Sequence, residues 1–358
     1  MEYTKTMEKN EKKLARLDYI DCVRGIAIFL VVFAHIAERY MKFDSYPEYY
    51  SLYELVYKIT YAFHMPLLMM ISGYVYCYVF FSEKRVREVK LKNHVLDLGI
   101  LYFLMSFLAF FSKIIFSNDV LEPISFDSIL YIFIKPIGHL WYLHVLIVLY
   151  FINIYLVKLT NVYKSTVFIV AFVLLCMFSD FVPRDTMIAS LLARIMKYEL
   201  YFYIGIVMKE EPEHFLLRKS LIYLYFIASV ITLYFAMAQT ERPDNQRFIH
   251  VIMAVGLSLG IIYFCKWYSI GNVGVFRKLG LISLEIYLLH QYLITLLRLL
   301  LSRICSNGII SLFLNVTITL VLIAALVKTI KHYGIRDYIF KPYSSICNVL
   351  RRKQRICR

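Results

Sequence analysis

Apolar residues come in runs of about twenty, separated by short polar gaps, along the whole chain. A helix of about twenty residues rises about 30 Å, the thickness of a bilayer's hydrocarbon core. Ten such runs are read, at residues 19–37, 55–81, 95–116, 139–157, 166–182, 188–208, 220–238, 248–265, 281–302 and 311–330. The residues before the first run are polar. No small-residue cleavage site follows that run, so it reads as a retained first helix rather than a signal peptide. Three runs are irregular. Pro66 predicts a kink in the second, and Lys135-Pro136 predicts a re-entrant or interfacial piece ahead of the fourth. The sixth opens with Arg194, Lys197 and Glu199 close together.

Composition sharpens this picture. Of 358 residues, 60% are hydrophobic and 18% charged, which excludes a disordered chain and argues against an ordinary soluble enzyme. The expected fold is an all-α integral membrane bundle of about ten transmembrane helices. It forms a single domain over 1–358, with a basic N-terminus at 1–18 and a basic tail at 331–358. The net charge is +15, which in a soluble protein would suggest nucleic acid. Here Lys and Arg crowd into alternate gaps. With the N-terminus inside, 27 of the 40 fall on inner segments and nine on outer ones. That asymmetry predicts both termini in the cytoplasm and no nucleic-acid partner. The tail "RRKQRICR" reads as a solvated charge run or as a contact with anionic lipid. The seven cysteines lack CxxC or Cys/His spacing, so neither a disulfide scaffold nor a metal site is expected.

Two ionisable residues stand out in the first run. Arg24 lies near its start and His35 near its end. Eleven residues at 100° each bring them to within about 20° of one face, roughly 16.5 Å apart along the axis. They cannot pair with each other, but they can mark two stations on one polar path. Arg offers a planar fork of donors suited to phosphate. His can take or give a proton near neutral pH, as acid–base work on a hydroxyl requires. The plainer readings are snorkelling to the headgroups for Arg24 and an interhelical hydrogen bond for His35.

The stretch "YIDCVRGIAIFLVVFAH" resembles the first helix of the membrane acyltransferase 3 family, in which Arg or Lys is followed after ten residues by His. The resemblance continues through "FHMPLLMMISGYVY", "GHLWYLHVLIVLYF", "YFYIGIVM" and "LGLISLEIYLLHQYLI", in the family's order over nearly the whole chain. It implies a ten-helix enzyme of a bacterial cytoplasmic membrane. Such an enzyme moves an acyl group, usually acetyl, from coenzyme A to a hydroxyl of a cell-surface glycan or its lipid-linked precursor. By the same resemblance His35 is the catalytic histidine, and Arg24 binds the cofactor or orders the site. A basic element after the second helix is associated with acyl-CoA. At that place stand Lys84, Arg85, Arg87 and Lys90 rather than Arg-x-x-Arg, and inward positive charge accounts for them equally. One branch of the family carries Trp-Ser-Leu-x-x-Glu, where this chain has Trp141, Tyr142 and Leu146. It therefore resembles the single-domain sugar acetylases, and a mechanism needing that Glu does not carry over.

Other polar residues within the runs are candidate pocket members. They are His64 and Ser72 in the second, Trp141 and Tyr142 at the fourth, and Glu285, Tyr287 and His290 in the ninth. Ser283, Tyr287 and His290 fall on one helical stripe and Glu285 faces elsewhere. An interhelical polar seam, or for Trp141 an interfacial anchor, explains each as well. The expectation is an O-acetyltransferase using acetyl-CoA and no metal, acting on a glycan or lipid-linked sugar within a lipid bilayer. Polysaccharide-synthesis proteins or a second copy are candidate partners. The rival is a flippase or exporter of a lipid-linked glycan, because buried polar residues on one face also suit a substrate path. A structural partner of a polysaccharide synthase has least support.

Overall fold

The computed structural model describes residues 2–82, 85–117, 124–159, 161–237, 248–268 and 274–356. The side chains of residues 2–17, Ser82, Arg85, 162–163, 235–237, 248–249 and 351–356 are outside the described set, as are Lys84 and the last two residues. The expectations for the basic N-terminus, for Lys84 and for most of the "RRKQRICR" tail therefore lie outside the described residues.

Every apolar run falls on helix. The chain forms α1 (Glu2–Lys42), α2 (Tyr50–Tyr61), α3 (His64–Phe80), α4 (Glu88–Ile115), α5 (Trp141–Leu159), α6 (Val162–Phe178) and α7 (Met187–Glu210). It continues through α8 (Lys219–Met237), α9 (Phe248–Trp267), α10 (Gly274–Leu281), α11 (Ser283–Ile304), α12 (Gly308–His332), α13 (Arg336–Phe340) and α14 (Pro342–Ile356). Between α3 and α4, β1 (Phe81–Ser82) and β2 (Arg85–Val86) pair as a two-residue antiparallel hairpin. Among the described residues seven segments are long and apolar enough to cross a membrane, and α6 and α8 contribute shorter apolar helices. Large apolar side chains stand exposed on several of them, including Leu104, Phe107 and Phe111 on α4 and Val321, Leu322 and Leu326 on α12. A surface of that kind is what lipid covers, and a helix satisfies its own backbone there. The protein is a helical, multi-pass membrane protein.

The structure corrects the expected elements in four places. The first helix does not end at residue 37 but runs on to Lys42, so Glu38 and Arg39 belong to it rather than to an outer loop. The second run is two helices, not one kinked helix. Pro66 lacks the N–H that would bond the Ala62 carbonyl, so the chain breaks at Ala62–Phe63 and Pro66 sits in the first turn of α3. Residues 83–94 are not wholly loop, since Lys90 and Lys92 lie in the first turns of α4. Finally, α10 is a short amphipathic helix in what reads from sequence as a polar gap. The interruption at Lys135-Pro136 appears as two 3-10 turns, Phe126–Tyr131 and Gly138–Leu140, ahead of α5.

The described residues fall into two compact units, Met1–Tyr74 with Tyr201–Leu320 and Val75–Leu200 with Val321–Arg358. In the first, α1 packs against α2, α9, α10 and α11. Its approach to α10 is close: a Cβ at Gly25 would overlap the Phe276 carbonyl, and one at Gly280 the Asp21 carbonyl. Small residues permit such backbone approach between membrane helices. Arg277 adds an ion pair to Asp18 at 2.9 Å. The far end of α1 is fixed by Tyr40, whose hydroxyl meets Ser311 Oγ at 2.8 Å and accepts from Asn315 Nδ2 at 3.2 Å. In the second unit, Asn153 of α5 donates to the buried Glu199 of α7 at 2.9 Å. There too, Ser344 of α14 bonds Asp97 of α4 through its backbone N–H (3.0 Å) and its hydroxyl (2.5 Å).

Candidate functional site

The last turns of α1 carry His35, Glu38, Arg39 and Lys42 one helical turn apart, so they line one side of it. Glu38 is the hub. Its Oε2 lies 3.3 Å from His35 Nδ1 and accepts the Tyr61 hydroxyl at 2.8 Å, while its Oε1 pairs with Lys42 Nζ at 3.0 Å. The Tyr61 oxygen is itself 3.1 Å from His35 Nδ1. With a neutral imidazole, one proton arrangement satisfies all three groups. Tyr61 donates to the carboxylate, and His35 carries its hydrogen on Nδ1, facing the carboxylate and the phenol oxygen. The opposite tautomer would set a ring lone pair against a carboxylate. In that arrangement Nε2 carries the ring's lone pair, and the His35 side chain is 19% exposed. This is the orientation a general base requires, with a carboxylate fixing the tautomer and stabilising the imidazolium that forms.

Two further histidines back this group. His290 of α11 is fully buried, its ring 5.4 Å from that of His35. Its Nδ1 donates to the Tyr287 and Ile286 carbonyls at 2.8 and 3.0 Å, which leaves Nε2 to accept from Gln291 Nε2 at 3.2 Å. The Gln291 oxygen in turn accepts from Arg39 at 2.6 Å. His64 is buried at the α2–α3 break, where its Nδ1 takes up the Thr60 carbonyl at 2.6 Å and its ring lies edge-on to Tyr61, 4.8 Å away. The break left by Pro66 thus places Tyr61 at the end of α2 and His64 at the start of α3.

Of the residues singled out from sequence, His35, His64 and His290 come together here, with Tyr287 adjoining His290. Glu285 is buried on α11, and Ser72 is half-buried on α3, next to Gly73, which meets the Phe202 backbone of α7. Arg24, toward the other end of α1, lies 3.5 Å from Asp21 and is one-third exposed. Trp141 and Tyr142 belong to the second unit, where Trp141 packs on Tyr198 and beneath the Arg194 guanidinium. Arg87 and Lys90 are exposed in that unit, and Arg87 donates to the Val79 carbonyl at 3.2 Å. A cavity of about 360 Å³ lies near them, between the start of α4 and the end of α5. Its basic lining comes from Lys92 and Lys158 instead. Among the described residues no group of three His, Cys, Asp or Glu side chains is arranged to hold a metal ion.

A family model described as an acyltransferase domain matches residues 17–328. The chain belongs to the acyltransferase 3 family. No curated protein and no solved structure matches it. The match takes in Arg24, His35 and every residue of the cluster around them, and family membership together with the apolar helices makes this a membrane acyltransferase.

Sequence reasoning overlooked Glu38, Arg39, Tyr61 and Gln291. For the first two a signal existed, since they stand three and four residues after His35 and continue its face. For the others the partner lies far along the chain, and only packing brings it near.

Proposed function

We propose that the protein is an O-acetyltransferase that moves acetyl from acetyl-CoA to a hydroxyl of a cell-surface glycan or its lipid-linked precursor. It would work in a bacterial cytoplasmic membrane, crossing it ten times with both termini inside. The observation that carries this reading is the hydrogen-bonded group of His35, Glu38 and Tyr61. His35 Nε2 removes the proton from the acceptor hydroxyl as its oxygen attacks the thioester carbonyl. The carbon–sulfur bond breaks, the new ester forms, and the departing thiolate recovers the proton from His35. Glu38 holds the Nδ1–H and offsets the positive charge on the imidazolium. Arg24, on the same helix toward the inner face, binds CoA phosphate. Arg85, Arg87 and Lys90 are a second candidate for that role, resting on sequence alone.

The test is transfer of labelled acetyl by the purified chain in nanodiscs. General-base catalysis typically contributes ~10²–10⁴-fold, so His35→Ala should lose that much with acetyl-CoA binding retained. His35→Gln keeps hydrogen bonding but cannot shuttle a proton near pH 7, and it should be equally inactive. Substantial transfer by His35→Gln would defeat the assignment. Loss of glycan export in both variants, with no acetyl transfer even by wild type, would establish the transporter instead.

A further inference from the structure

One buried charge is not accounted for by this chemistry. Arg39, 8% exposed, is held through one terminal nitrogen by Gln291. Its other terminal nitrogen and its Nε are buried and make no hydrogen bond among the described residues. Glu38 attracts this charge but makes no hydrogen bond to it, because both carboxylate oxygens are already engaged by His35, Tyr61 and Lys42. Arg298, on α11, is also buried, stacked 3.8 Å from the centre of the Phe43 ring, and its charge repels that of Arg39. His35, Arg39 and Phe43 follow one another at single-turn intervals along α1. The site therefore has a histidine and, one turn further along, a buried guanidinium with two N–H groups that make no hydrogen bond among the described residues, beside a second arginine. Burying a charge is costly unless an opposite charge and hydrogen bonds meet it. A guanidinium presents a planar pair of donors matched to a carboxylate or phosphate.

We infer that Arg39 and Arg298 form an anion subsite beside His35, and that the acceptor is an acidic glycan whose carboxylate or phosphate docks there next to the reacting hydroxyl. This rests on the reading of His35 as the base. The acetyl group itself is uncharged, and the phosphates of CoA are assigned to the Arg24 end of the helix. An anion on the far side of His35 thus belongs to the acceptor.

The test uses the full chain in nanodiscs with acetyl-CoA and matched acceptors. These are a glucuronate-ended oligosaccharide, the same oligosaccharide with its carboxyl reduced to the alcohol, and a prenyl-phosphate-linked sugar beside its dephosphorylated form. Hydrogen bonds to charged groups contribute about 1.5–3 kcal/mol, so kcat/KM for an acidic acceptor should exceed that for its neutral partner by ~10–100-fold. In Arg39→Gln that ratio should collapse toward one. Thermal stability should hold or rise, because the substitution removes buried donors that lack hydrogen bonds and the repulsion from Arg298. If neither acidic acceptor outpaces its neutral partner in wild type, the inference fails whatever the variant does. If the acceptor ratio is flat but wild type prefers succinyl-CoA and Arg39→Gln loses that preference, the anion belongs to the donor and the inference fails in favour of that. Absence of acyl transfer to every acceptor would instead defeat the underlying enzyme reading.

Discussion

At the scale of single residues, the distinctive feature is a histidine whose two ring nitrogens face different worlds. Nδ1 is engaged by Glu38 and Tyr61, and Nε2 is the nitrogen that the proposed chemistry uses. Glu38→Gln removes the charge that selects this tautomer, and it should lower kcat by ~10²–10⁴-fold while KM for acetyl-CoA stays within about threefold. Tyr61→Phe keeps the carboxylate and removes one hydrogen bond to it, so its loss should be about tenfold. A Glu38→Gln enzyme as fast as wild type would mean that the carboxylate is only a partner for Lys42. At the opposite end of α1, Arg24→Lys should retain part of the activity with a raised KM for acetyl-CoA, whereas Arg24→Ala should lose far more. Equally mild effects on transfer would mark Arg24 as a snorkelling side chain. The histidine was legible in the sequence because an ionisable group in an apolar run is costly enough to need a reason. Glu38 and Arg39 were hidden by the same reasoning. Hydropathy falls at Glu38, and a reading that ends the helix where apolarity ends assigns both to a loop. Tyr61 and Gln291 had no local signal at all.

At the scale of elements, the runs of apolar residues located every long helix, because in lipid a buried backbone has few alternatives to helix. What hydropathy did not locate is set by backbone geometry. The α2–α3 break comes from one missing N–H at Pro66. The short helix α10 depends on tertiary packing, through Gly25 and Gly280, which let it lie directly against α1 at the level of Arg24. This approach is testable by adding atoms. Gly25→Val puts a branched side chain where the Phe276 carbonyl sits, and overpacking of that kind costs roughly 1–3 kcal/mol. The purified protein should unfold at a clearly lower temperature in detergent, and transfer should fall because the helix bearing Arg24 and His35 has shifted. Gly99→Ala on α4 is the control. Nothing lies within 4 Å of a Cβ there, and alanine in a helix interior should be neutral or stabilising by up to about 1 kcal/mol. If both substitutions behave alike, the α1–α10 approach is not tight.

At the scale of the whole molecule, the number of crossings turns on α7. The seven segments that are plainly long and apolar enough would leave the two termini on opposite sides of the membrane, and adding α6 and α8 would not change that parity. If α6 and α8 both cross, a crossing by α7 is what brings the termini to the same side. Its 24 residues give about 36 Å of helix, which is sufficient length. The obstacle is its charge, and each charged group near its middle is engaged inside the second unit. Glu199 accepts from Asn153, Arg194 lies over the Trp141 ring, and Lys197 lies over Tyr198. Ionisable side chains in membrane helices are tolerated when they face the protein interior and find partners, so α7 should cross. The excess of Lys and Arg on the alternate segments that share the N-terminal side then predicts both ends in the cytoplasm. Fusions of green fluorescent protein and of alkaline phosphatase at Arg358 and after Lys92 read this directly. Both positions should fluoresce and neither should show phosphatase activity. A cysteine replacing Asp44, in the exposed turn after α1, should react with a membrane-impermeant maleimide from outside intact cells. Phosphatase activity at Arg358 with fluorescence at Lys92 would show that α7 stays on one side. The crossing count would then be odd, and the partners of Glu199 and Arg194 would not be supporting a buried helix.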